Sequence, residues 1–131
     1  MPSAQIEVRR SYSAHEETAL IEAIQGALVA VFRIPIQDKD VRLVAHEPHL
    51  FACSPRLTKP DVFTLVSIDC FAGRSVQAKR TLYAEIVDRL SGLGIPKGHV
   101  TITLRESPAE NWGIRGGQAA RDVDLGFDVN V

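Results

Sequence analysis

A proline at position 2, two arginines in unusual settings and one tryptophan are the residues of this chain that could do chemistry. Arg42 lies in an apolar stretch beside Val41, Leu43 and Val44. Arg74 stands between Gly73 and Ser75, at a turn from a strand into a helix. A guanidinium is a permanently charged fork of donors. Beside the free N–H groups of a helix start it makes a good carboxylate receptor. A solvated surface arginine is the other reading of each, and neither residue decides the matter alone. Trp112, in "ENWGIRGG", is either the aromatic wall of an apolar pocket or a core plug. Pro2 is either punctuation near the first residue or a chemical group, depending on what surrounds it.

Other chemistries find little support. His46 and His49 frame "HEPH", where a proline breaks any helical face and no further ligands cluster, so loop histidines fit better than a metal site. There is no G-x-S-x-G, and "GIRGG" lacks the lysine and hydroxyl of a phosphate-binding loop. Cys53 and Cys70 lie far apart, which suits reduced thiols. A formal net charge of −1 argues against a general nucleic-acid binder. The longest apolar run, "ALVAVF", is too short to cross a bilayer, so a cytoplasmic protein without a membrane partner is expected.

The elements that must position these residues come twice. Residues 4–9 alternate apolar and polar as a strand, and "SAHE" has the spacing of a capping box opening a helix. Leu20, Ile21, Ile24, Ala27, Leu28, Val31 and Phe32 recur at helical spacing until Pro35 stops them. "DVRLVAHE" reads as the second strand. The second half repeats the order: "VFTLVSIDCF" as an inner strand, a helix bearing Leu82, Ile86, Leu90 and Leu93 on one face, and "HVTITLRES" as a strand. Ser13 to Pro35 spans 22 positions and Ser75 to Pro96 spans 21. At 131 residues this implies one α+β domain of two pseudo-repeats, about 2–55 and 60–115. Duplicated β-α-β units then form a four-stranded mixed sheet with both helices on one face. In the tail, Val123, Leu125, Phe127, Val129 and Val131 alternate with polar residues or glycine. A C-terminal strand over about 121–131 is therefore expected, exchanged onto another subunit's sheet edge or packed on its own core.

In this frame the chain resembles the tautomerase superfamily over nearly its whole length. "PSAQIEVRR" is similar to the start of 4-oxalocrotonate tautomerase-type chains, and "KDVRLVAHE" to their second strand, whose arginine falls on Arg42. "GRSVQAK" resembles the turn that opens their helix, and "ENWGIRGG" their aromatic-Gly-Ile-x-Gly ending. The resemblance implies Pro2, Arg74 and Arg42 as catalytic residues and Trp112, Tyr12, Asp38 and Ile114 as substrate-binding ones. It also implies a homotrimer, a small carboxylate-bearing substrate, no cofactor and no metal. Tyr12 holds the first-half position that Arg74 holds in the second, so one complete site per chain is implied. The double-length chain looks closest to the branch near malonate semialdehyde decarboxylase, whose aspartate falls on Asp38. Of that enzyme's paired arginines only Arg74 is kept. The activity implied is keto–enol tautomerisation of a small 2-keto or 2-hydroxy acid, with an N-terminal proline as general base and acid. The alternatives are a decarboxylase or hydratase in the same pocket, or a non-catalytic trimeric scaffold.

Overall fold

The computed structural model describes residues Met1–Val131. Strand β1 (Pro2–Val8) leads to helix α1 (Ala14–Phe32) and strand β2 (Val41–Ala45). Strand β3 (Thr64–Phe71), helix α2 (Val76–Ser91) and strand β4 (Val100–Ser107) repeat that order. The sheet order is β2-β1-β3-β4. β1 pairs parallel with β2, β3 pairs parallel with β4, and β1 meets β3 antiparallel. The two halves are therefore related by an approximate twofold axis between β1 and β3, as the repeat requires.

Both helices begin where a serine accepts hydrogen bonds from otherwise unpaired backbone N–H groups. Ser13 Oγ accepts from Glu16 N at 3.2 Å, and Glu16 Oε1 accepts from Ser13 N at 3.0 Å, closing the capping box. Ser75 Oγ accepts from Ala78 N at 3.0 Å. Period-two alternation turns Pro2, Ala4, Ile6 and Val8 of β1 inward, together with Val66, Ile68 and Cys70 of β3. They meet Leu20, Ile24, Ala27, Leu28 and Phe32 of α1 and Leu82, Ile86 and Leu90 of α2 in one core. The opposite sheet face, with Ser3, Gln5, Ser67 and Thr103, carries no helix.

Two expectations are corrected. Residues 121–131 form no strand: after a short turn (Ala120–Asp122) the tail packs on its own chain. The alternating pattern still governs burial, since Val123, Leu125, Phe127 and Val129 are half-buried and their neighbours exposed. Ser75 N donates to the Val131 carbonyl at 3.1 Å, and Phe127 packs against the core. Leu93, expected on the buried face of the second helix, lies beyond α2 and is 45% exposed. "GIRGG" is a hairpin turn between β5 (Gly113–Ile114) and β6 (Gln118–Ala119). Arg115, Gly116 and Gly117 all take positive φ there, which explains the glycines without a phosphate.

Candidate active site

The antiparallel β1–β3 pair sets the site, because it brings the start of β1 beside the end of β3. Pro2 is buried and faces Cys70 across the ladder. Four residues after Cys70, the turn into α2 delivers Arg74, which is only 5% exposed. Its guanidinium lies 4.4 Å from the Phe32 ring centroid and 5.8 Å from that of Phe127. Nη1 donates to the Phe71 carbonyl at 3.2 Å. Nε and Nη2 are buried and have no partner. These two nitrogens form one edge of the planar guanidinium, the edge that grips a carboxylate with two parallel hydrogen bonds. A buried unpaired donor is costly in a folded chain, so this edge is poised for a ligand.

The electrostatics follow from burial. Desolvation lowers the Arg74 pKa, with Cys70 and Glu106 opposing it, and the guanidinium stays charged. Desolvation also raises the Cys70 pKa, against the nearby Arg74 charge, so Cys70 is a neutral thiol. Asp38 joins from the loop before β2: its Oδ2 accepts from the Met1 ammonium at 3.1 Å. Cys70, Phe32 and Phe127 contribute to this site although the sequence did not single them out for it. Only the strand register and the alternation that buries Cys70 could have pointed to them.

Pro2, Asp38 and Arg74 thus gather at one end of the sheet, and the other expected site residues do not join them within the chain. Arg42 is in register with Gln5, and its Nη1 donates to Ser3 Oγ at 3.0 Å, on the sheet face opposite the helices. Trp112 stands edge-on to Phe71, with ring centroids 5.1 Å apart, and its Nε1–H donates to Ser107 Oγ at 2.9 Å. Phe71 alternates with the inward-facing Cys70, so Trp112 covers the outer side of the same strand end. Ile114 is half-buried in the adjoining hairpin. Tyr12 follows the far end of β1, roughly 20 Å along a seven-residue strand from Pro2. There its buried hydroxyl has no partner, beside a cavity of about 130 Å³ shared with Leu20 and Leu93. A larger cavity of about 380 Å³, around Arg9, Arg10 and His46, contains none of the expected site residues. Groups of histidine, cysteine and carboxylate residues able to hold a metal ion are absent. No helix is long and apolar enough to cross a membrane.

This architecture is shared with solved structures of low sequence identity. Malonate semialdehyde decarboxylase FG41, inhibited by 3-bromopropiolate, is 24% identical with a TM-score of 0.82, over 89% of this chain and 92% of that one. Pt0534, inactivated by 2-oxo-3-pentynoate, is 21% identical with a TM-score of 0.83, over 93% and 99%. The Q0 fused 4-OT, a wild-type symmetric trimer, is 24% identical with a TM-score of 0.70, over 90% and 95%. They define the fold as that of the double-length 4-OT proteins. A profile of the family described as tautomerase enzyme matches residues 38–115, more than half of the chain. The chain belongs to the tautomerase family.

Proposed function

We propose that the protein interconverts enol and keto forms of a small 2-keto or 2-hydroxy acid, with Pro2 as general base and acid. The observation that carries this reading is the free Nε–Nη2 edge of Arg74, buried beside the strand pair that holds Pro2. The substrate carboxylate takes that edge, which sets its reacting carbons toward Pro2. Removal of Met1 converts the Pro2 nitrogen from an amide into a secondary amine. Burial and the Arg74 charge lower its pKa by penalising the ammonium form, while Asp38 opposes them. The free amine takes the enol proton, and the resulting ammonium returns a proton to the neighbouring carbon. A general base tuned in this way contributes about 10²–10⁴-fold.

Arg42 enters the reading through assembly. In a homotrimer built on the uncovered sheet face, Arg42 would reach the carbonyl end of the substrate from a neighbouring subunit and stabilise the developing enolate oxygen. The symmetric trimer of the Q0 fused 4-OT supports a trimer of this fold. Trp112 would then close the apolar wall on that side.

Asp38 supports a second reading, decarboxylation of a 3-oxo acid or hydration of an unsaturated one, because its carboxylate lies at the start of β1, 3.1 Å from the nitrogen of Met1 that precedes Pro2. The test is ketonisation of phenylenolpyruvate beside turnover of malonate semialdehyde, with N-terminal processing read by mass spectrometry. Pro2→Ala should sharply reduce ketonisation. Undiminished turnover, or a retained Met1 in the active protein, would overturn the proline mechanism. Turnover confined to malonate semialdehyde would select the second reading.

A further inference from the structure

We propose that Gln25 is a positioning residue that holds the Asp38 carboxylate beside the start of β1, where removal of Met1 frees the Pro2 nitrogen; this rests on reading the Pro2 nitrogen as the catalytic base. Gln25 lies on α1 among Ala23, Ile24, Ala27 and Leu28, and is 5% exposed, on a face that is otherwise apolar. Its Nε2 donates to the Asp38 carbonyl at 3.1 Å and to the Ile36 carbonyl at 3.4 Å. Two carbonyls facing one end of the amide settle which end carries the NH₂ group. Oε1, at the other end, is buried without a partner. An apolar side chain would avoid that penalty but leave the Asp38 and Ile36 carbonyls without their donor, so the amide serves the loop it holds.

The loop it holds has few other ties. Asp38 N donates to the Pro35 carbonyl at 3.0 Å and Ala4 N to the Asp40 carbonyl at 2.9 Å, while Ile36 is 75% exposed. Lys39 pairs with Glu22 of α1 at the exposed edge of this loop, and Gln25 supplies the buried side-chain grip, at the residue whose carboxylate meets the Met1 ammonium. Once Met1 is removed, the Pro2 nitrogen lies within about 4 Å of the former ammonium position. The other groups around it are Cys70 across the ladder, Arg74 on the turn, and Glu106, the register partner of Cys70, paired to Lys79 of α2 at 2.6 Å. Among them Asp38 favours the ammonium form, and its position sets how strongly.

The test compares wild type, Gln25→Met, Asp38→Asn and the double variant, with ¹⁵N-proline NMR of the N-terminal nitrogen. Gln25→Met should lower the melting temperature slightly, by the loss of two hydrogen bonds, and lower the amine pKa. It should also reduce kcat on the order of 10- to 100-fold, the scale of a misplaced catalytic group. The double variant should be no worse than Asp38→Asn, because Gln25 acts through Asp38. Full additivity, or an unchanged titration in Gln25→Met, overturns the proposal. If Gln25→Met does not fold, Gln25→Leu, which also removes the Nε2 donor without adding a charge, carries the same expectations. Full turnover in Pro2→Ala would refute the base reading, while the nitrogen titration in the Gln25 variants would still decide the positioning.

Discussion

Replacing Arg74 with methionine separates its binding role from its structural one. The side chain is 5% exposed, spends one donor on the Phe71 carbonyl and leaves Nε and Nη2 unpaired. A carboxylate on that edge gains two charge-assisted hydrogen bonds of about 1.5–3 kcal/mol each. Arg74→Met should therefore cost about 10²–10⁴-fold in kcat/KM, each 1.36 kcal/mol being about tenfold. Stability should move the other way or not at all. The buried cation faces no carboxylate partner, and its desolvation penalty of several kcal/mol offsets a cation–π contact of about 2 kcal/mol and one hydrogen bond of about 1 kcal/mol. Arg74→Lys keeps the charge without the fork and should recover only part of the loss. The assay is ketonisation kinetics together with thermal unfolding, with and without pyruvate. Pyruvate should raise the melting temperature of wild type and not of Arg74→Met. Retained kcat/KM with a lowered melting temperature would show that Arg74 is a structural residue and refute the carboxylate assignment.

Four further outcomes test the fold and its chemistry. Ser13→Ala should destabilise the protein by about 1 kcal/mol in denaturant titration, by removing the α1 cap. Hydrogen bonds from Ser13 hold the Glu16 pKa below its ordinary value, so its contribution is present at neutral pH and lost as pH falls through the folded-state value. Glu16→Gln should flatten that acid limb, and an identical pH profile would exclude the box from acid stability. Iodoacetamide at mildly alkaline pH should modify Cys53 before Cys70, because burial both shields the Cys70 thiol and raises its pKa; mass spectrometry showing the reverse order would contradict the packing at Pro2. Ser67→Arg places a charge at the centre of the uncovered sheet face, between Gln5 and Thr103. Sedimentation should show a trimer for wild type, as proposed above, and a smaller species for Ser67→Arg; an intact trimer in the variant would move the interface elsewhere.

The fold was legible in the sequence because its signals are local. Serine caps, Ile-Pro stops and period-two alternation each act within a few residues, and they recur in both halves. The site was less legible because it depends on register and on which side of a strand a residue faces. Arg42 looked like a cation in an apolar strand, yet one step along that strand separates the helix-facing Val41 from the outward Arg42. Gln25 carries no signal in the sequence, since nothing local says that the loop bearing Asp38 folds back over it. The tail carried a true alternation without a strand, because half-burial against its own chain produces the same pattern as ladder pairing.

The duplication also explains why one end of the sheet is equipped for this chemistry and the other is not. Aligning the halves on their serine caps places Tyr12 opposite Arg74 and Thr64 opposite Pro2, each the first residue of its strand. Aligning them on the Ile-Pro stops places Leu93 opposite Phe32 and His99 opposite Asp38. The second end thus has a phenol where the first has a guanidinium, and an interior amide nitrogen where the first has one that processing can free. His99 is buried there, with Nε2 accepting from Lys59 N at 3.0 Å, so it serves the loop. An aliphatic side chain at Leu93 has no π-face on which to seat a cation. The cation nearest Tyr12 is Arg10, whose guanidinium lies 4.6 Å from the phenol ring centroid and is not buried as Arg74 is. Both ends share the same strands, caps and stops, so these side chains, not the fold, distinguish the end that bears the proposed site.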